Sequence, residues 1–231
     1  MTDTLKLEIL EANLQLHKMG LVIFTWGNVS GIDRKKGHVT IKPSGVSYDK
    51  MQVEDLVTVD MNGNVIEGKY KPSSDLETHL EIYRQFPKCG GVVHTHSRMA
   101  TAWAQAGVDL PAFGTTHADY FYGAVPCTRA LTDAEIQGAY EYETGRVIIE
   151  TFKNNVIDPM AVPGVLVCGH GPFTWGKTAM DAMQNTVVLE EIATIACSSL
   201  AINSKTSAIA QVLLDKHYLR KHGSDAYYGQ K

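Results

Sequence analysis

The chain reads as a mixed α/β fold built on a mostly antiparallel sheet, and three observations predict it. Apolar residues recur at helical spacing in several long segments that flank short β-rich runs. Two of those runs, Leu56–Asp60 and Val65–Gly68, close as a hairpin across Met61-Asn62-Gly63-Asn64, and Asn-Gly is a strong turn signal. Length sets the third: 231 residues, 44% of them apolar and 20% charged, suffice for one hydrophobic core and are short for two complete domains. Helices before and after strands that include hairpins favour an α/β sandwich over a doubly wound parallel sheet. Residues 1–231 read as one domain.

The elements follow in order. Leu5, Ile9, Ala12 and Leu16 form one stripe, so residues 3–19 read as a helix. Leu21–Thr25 and His38–Lys42 read as strands, with Gly27, Gly31 and Gly37 marking turns. Ser74-Asp75-Leu76-Glu77 has the form of a capping box, so a helix is expected from Asp75, with Leu76, Leu80, Tyr83 and Phe86 on one face and Pro87 ending it. Gly91–Thr95 is a strand leading into His94-Thr95-His96, and Ser97 is placed to cap a helix through Ala106. Thr132-Asp133-Ala134-Glu135 fits a second capping box, opening a helix with Ile136 and Tyr140 on one face; a further helix covers Gly145–Lys153. After Pro163-Gly164 comes a strand, Val165–Cys168, and then the loop Gly169-His170-Gly171-Pro172. A long helix starts at Thr178 or Asp181 and runs to Ile202, and a last one spans Ile209–Lys221.

Composition excludes several classes of partner. A net charge of −4 and a pI near 6.1 give no electrostatic footprint for nucleic acid or an anionic membrane. Met1 to Leu10 mixes Asp3, Lys6 and Glu8 among apolar residues and lacks a signal-peptide core; no stretch reads as a bilayer span, so a cytoplasmic location is expected. Cys89, Cys127, Cys168 and Cys197 form no Cys-x-x-Cys pair and read as small buried hydrophobes, not disulfides.

His94 and His96 lie two apart at the end of a predicted strand. Side chains alternate faces there, so both imidazoles point the same way and can share one metal ion. His170 follows a second strand in a Gly-rich loop that can bring it across. Three histidines leave open coordination positions, as catalytic metals require, and imidazoles suit zinc or another divalent first-row metal. A packing role for the His-x-His pair is the alternative among nine histidines. His17, His38, His79 and His222 read as surface or structural residues.

Three polar, small-residue loops accompany the histidines: Trp26-Gly27-Asn28, Lys42-Pro43-Ser44-Gly45 and Pro72-Ser73-Ser74-Asp75. Backbone N–H groups and Ser hydroxyls in such loops, a Lys, and a helix N-terminus after Ser74 can cradle a phosphate. No Gly-x-Gly-x-x-Gly or Walker A pattern appears, so a nucleotide is not implied.

The residues assembled above resemble the class II aldolase family, and most closely its L-ribulose-5-phosphate 4-epimerase branch. The resemblance rests on Thr25-Trp26-Gly27-Asn28-Val29-Ser30, Ile41-Lys42-Pro43-Ser44-Gly45, Lys71-Pro72-Ser73-Ser74-Asp75, Val93-His94-Thr95-His96-Ser97, Gly114-Thr115-Thr116-His117-Ala118-Asp119-Tyr120 and His170-Gly171-Pro172-Phe173. It continues in Arg220-Lys221-His222-Gly223 and Tyr227-Tyr228-Gly229-Gln230, and so covers essentially the whole chain.

The resemblance implies a three-layer α/β/α fold with a central, mostly antiparallel sheet. It implies zinc held by His94, His96 and His170, with Asp75 as a further ligand or close contact. It places the substrate phosphate at Gly27, Asn28, Ser44, Gly45, Ser73 and Ser74, with help from Lys42. It further implies a homotetramer whose active sites lie between subunits, with Asp119 and Tyr228 as acid–base groups donated by a neighbour. Thr115 is expected to line the site and His217 to orient substrate or Tyr228. On the residues alone, Asp75 can equally cap the following helix, Asp119 can make an Asx-turn and Tyr228 can pack as an aromatic.

The implied reaction interconverts L-ribulose 5-phosphate, a small phosphorylated ketopentose, and D-xylulose 5-phosphate. The proton on C4 is not acidic, so inversion proceeds by cleaving C3–C4, rotating the aldehyde and re-adding it to the enediolate. An acid–base group is needed on each side of C4. The aldolases of the family look like Ser-Ser-Glu where this chain has Ser74-Asp75 after Ser73, which favours an epimerase. An aldolase acting on fuculose or rhamnulose phosphates is the alternative; a non-catalytic module like the adducin head would lack the histidines. Arabinose and ascorbate or related sugar-acid catabolism both use this epimerisation. A zinc hydrolase would call for a motif such as His-Glu-x-x-His, which is missing.

Overall fold

The structure is a computed structural model that describes residues 3–223 and 225–227. The N-terminal stripe forms α1 (Asp3–Lys18), burying Ile9, Ala12, Asn13 and Leu16. Two strands follow, β1 (Asn28–Asp33) and β2 (His38–Ile41), then the hairpin of β3 (Val57–Asp60) and β4 (Val65–Glu67). Next come α2 (Leu76–Gln85), β5 (Gly91–His94), α3 (Arg98–Ala106), α4 (Thr115–Ala118), α5 (Asp133–Gln137) and α6 (Tyr140–Asn154). The chain continues through β6 (Gly164–Val167), β7 (Gly171–Gly176), α7 (Ala179–Ile202) and α8 (Gln211–His222).

The strands form one seven-stranded sheet in the order β4-β3-β2-β1-β5-β7-β6, and every pairing in it is antiparallel. Period-two alternation sends neighbouring side chains to opposite layers. Val92 joins the apolar cluster of α2 and α6, whereas Val93 joins that of α1 and the start of α7. On β7, Trp175 packs against Phe86 and Phe152, while Thr174 hydrogen-bonds Ala182 and Thr186 of α7. The result is an α/β/α sandwich. Fully buried side chains such as Leu80, Ile82 and Phe173 each contribute about 1.5–3 kcal/mol through burial.

Several expectations change. Leu21–Thr25 is not a strand: Phe24 has φ 56, and Ile23 and Phe24 are exposed. The strand is instead β1, which runs straight through Gly31. A Cβ there would lie 2.8 Å from Ile9 of α1, so the glycine marks a close helix–sheet approach and not a turn. The loop after His170 is the start of β7. The capping box at Thr132 forms, but Gly138 ends α5 after five residues and Tyr140 begins α6.

Asp75 and Ser97 hold N-cap positions without side-chain caps. All four cysteines are free, but only Cys89 is fully buried. By length and composition α7 matches a bilayer span, contrary to expectation; in the fold it lies against α1, α3, β5 and β7.

Candidate metal centre

The sheet register assembles the site. Asn28 on β1 sits opposite His94 on β5, and His94 sits opposite Phe173 on β7. Gly27 has φ 73, and a Cβ on it would come within 2.8 Å of the His94 carbonyl, so only glycine lets this loop close on the strand end. His170 immediately precedes β7 and arrives beside the pair.

The nitrogen and oxygen partners fix His94. Its Nδ1 lies 3.0 Å from the Pro172 carbonyl, which can only accept, so Nδ1 carries the proton and Nε2 presents a lone pair. The ring stacks on Phe173, with centroids 4.2 Å apart. His94 Nε2 lies 3.1 Å from His96 Nε2, and the ligating atoms of His94, His96 and His170 all fall within 4.8 Å of one another. Two imidazoles about 2.0–2.1 Å from a tetrahedral zinc have nitrogens about 3.4 Å apart, so these three side chains fit a divalent metal. Burial, followed by repulsion from His94 and His96, pushes His170 down to about 4. Burial and then His94 also lower His96. A neutral imidazole is the ligating form. The Tyr140 hydroxyl lies 3.4 Å from His170 Nδ1.

Asp75 adjoins the cluster. Burial would raise its carboxyl, but His94, His79 and the Asn28 amide together outweigh that and hold it below the usual carboxylate range. Asn28 Nδ2 donates to Asp75 Oδ2 at 2.6 Å and to Ser73 Oγ at 2.9 Å. The Lys42 and Ser73 loops are pinned together by Ser73 N–H donating to the Lys42 carbonyl at 3.0 Å and by a bridge between Pro43 and Pro72. Lys42 is 1% exposed, its ammonium met by the Thr25 and Pro43 carbonyls and the Tyr48 ring, and burial lowers it to about 8. No carboxylate neutralises it in these contacts, which suits an anionic ligand.

A cavity of about 380 Å³ joins these parts. Gly27, Asn28, Lys42, Ser44, Gly45, Ser73, Ser74, Asp75, His94, His96 and His170 all line it. Tyr140 and Glu141 line it too and escaped the sequence reading, because the break at Gly138 that aims them at the cavity has no periodic signal. A larger cavity of about 580 Å³ lies away from the histidines, between the ends of α2 and α6, and has mainly apolar walls.

Thr115, Asp119 and His217 do not reach this cavity. They lie together where α4 meets α8. Asp119 Oδ1 lies 3.0 Å from His217 Nδ1, and Arg220 grips both carboxylate oxygens at 3.0 Å. Burial would raise the Asp119 carboxyl, but Arg220, His217 and Lys221 outweigh it and keep it low. A proton donor near neutrality would need the opposite shift. Tyr228 lies outside the described residues.

Residues 7–197 match the family described as class II aldolase and adducin N-terminal domain. Among solved structures, an L-fuculose 1-phosphate aldolase superposes with a TM-score of 0.81 at 23% identity, covering 96% of this chain and 98% of that one. YgbL from Klebsiella pneumoniae gives 0.72 at 24% identity, with 94% and 99% covered. The l-fuculose-1-phosphate aldolase from Thermus thermophilus gives 0.67 at 23%, with 90% and 100% covered. At these identities the structural likeness establishes a shared fold.

Proposed function

The chain belongs to the class II aldolase and adducin family, and from that premise we propose that it is an epimerase interconverting L-ribulose 5-phosphate and D-xylulose 5-phosphate. The resident cation is proposed to be zinc, held by His94, His96 and His170 with Asp75 alongside. Bound there, a divalent ion supplies Lewis acidity for the negative charge that develops when C3–C4 breaks.

The protein's own groups do the rest in this reading. Lys42, Asn28, Ser73, Ser74 and the amides at Gly27, Ser44 and Gly45 hold the phosphate. Glycolaldehyde phosphate stays tethered through that phosphate while its aldehyde turns over and re-adds. Ionised Asp119 from a neighbouring subunit accepts the proton of the C4 hydroxyl on one face and Tyr228 returns a proton to the C4 oxygen on the other, with His217 orienting and Thr115 lining. The assembly is proposed to be a cytoplasmic homotetramer in which each chain, residues 1–231, is one catalytic unit.

The observation that carries epimerase over aldolase is Asp75. Its carboxylate takes a 2.6 Å hydrogen bond from Asn28 and is kept ionised. An ionised, short acid is a poor proton donor to the enediolate carbon, so re-addition outruns protonation and fragment release. The test is to incubate zinc-loaded protein with L-ribulose 5-phosphate, with and without a chelator. D-xylulose 5-phosphate should form rapidly, chelator-sensitively and with only traces of dihydroxyacetone and glycolaldehyde phosphate. Fragments as the main product would make the chain an aldolase; no turnover would send the search to other phosphorylated ketoses.

A further inference from the structure

We propose that Glu190, on α7 and outside the cavity, is a positioning residue for His96, fixing the segment that carries it by capping α3. The inference rests on the reading of the three histidines as a metal centre.

The segment Thr95-His96-Ser97 joins the end of β5 to the start of α3. Its upstream end is well held: His94 is locked by the Pro172 carbonyl and the Phe173 ring, and Thr95 N–H donates to the Pro172 carbonyl at 3.4 Å. Downstream, the first N–H groups of a helix have no partner within it and need an external acceptor. Ser97 occupies the N-cap position, where its hydroxyl would ordinarily serve. It makes no such bond, and its buried Oγ has no partner among the described residues.

Glu190 takes over that task from a different element. Its two carboxylate oxygens accept from Met99 N–H at 2.9 and 3.1 Å and from Ala100 N–H at 3.0 Å. A negative group at this end also complements the helix dipole. The start of α3 is thereby tied to the middle of α7, which itself packs on β5 and β7. His96 thus sits between two anchors, the Pro172–Phe173 contacts on one side and Glu190 on the other. His96 is the most exposed of the three histidines, and its ring meets only Trp26, His94 and His170 among the aromatic rings of the described residues, so its own packing supplies only part of its restraint. Without Glu190 the downstream end keeps only the packing of α3 against α7, β7 and β6, its first N–H groups lose their acceptor, and the entropy of the loosened segment falls on metal binding.

The test compares the full-length, zinc-loaded wild type with Glu190→Gln and Glu190→Ala. The readouts are zinc release into an excess of chromophoric chelator and the urea midpoint of the metal-free proteins. Outer-shell supports typically change metal affinity by 10–100-fold, so release from Glu190→Ala should be about tenfold faster. Glu190→Gln, keeping one good acceptor, should fall between the two. Unchanged release in both variants, whatever happens to the midpoint, would make Glu190 a helix cap and nothing more. If Glu190→Ala fails to fold, Glu190→Gln decides by the same criterion. A wild type that takes up no zinc would instead overturn the metal centre, and this inference with it.

Discussion

His79 illustrates how a single buried side chain ties stability to pH. It lies one turn beyond Asp75 on α2, fully buried, with Nδ1 2.7 Å from Ser30 Oγ. Burial pushes it from 6.5 down to about 3. The unfolded chain therefore takes up a proton at this residue before the folded one does. The associated stability is fully present above about 6.5 and is lost as pH falls toward about 3. Between pH 7 and pH 5 the loss is roughly 2 kcal/mol. Urea midpoints measured with chelator at the two pH values should show a larger drop in wild type, because His170 and His117 are lowered in the same direction, and His79→Asn, which retains a partner for Ser30, should be less steep by about the His79 share. Equal slopes would remove His79 from this role. At the same scale, the i, i+2 spacing of His94 and His96 pointed to the candidate metal site, although β5 ends at His94 and His96 lies in the connection to α3. Tyr140 and Glu141 were not legible, because an irregular turn aims them.

Whole elements were legible where apolar spacing is periodic. α1, α2 and α7 each carry a stripe or a start signal that survives folding, and the Asn62-Gly63 hairpin forms where the turn chemistry places it. β1 and β7 were hidden by their glycines. Gly31 and Gly171 read as punctuation, yet each sits inside or at the edge of a strand. Gly31 lets α1 approach the sheet, and a Cβ on Gly171 would lie 2.9 Å from the Thr95 carbonyl. Such demands come from tertiary contact, to which local propensity is blind. The caps show the same limit. Thr132 caps as its motif promises, but Asp75 turns to Asn28 and Ser97 leaves α3 to Glu190, 90 residues or more away in sequence.

At the scale of the whole molecule, the proposed mechanism needs a second copy. Asp119 and His217 do not line the cavity of their own chain, so the proposed mechanism draws them from a neighbour. Contacts between chains leave no periodic trace in one sequence, which is why only the family resemblance pointed to them. Mixing an inactive Tyr228→Phe protein with an inactive His96→Ala protein in verified mixed oligomers should restore part of the activity, because some interfaces then hold both intact partners. No recovery would argue for sites completed within single chains.

Every part of this scheme depends on the three histidines holding a cation. The measurement closest to that claim is the zinc content, by mass spectrometry, of wild type and His96→Ala purified side by side, with the epimerisation rate of each. Wild type is expected to carry zinc, and His96→Ala to lose most of the metal and the activity while keeping its fold by circular dichroism. A His96→Ala protein that retains both zinc and rate would contradict the metal centre.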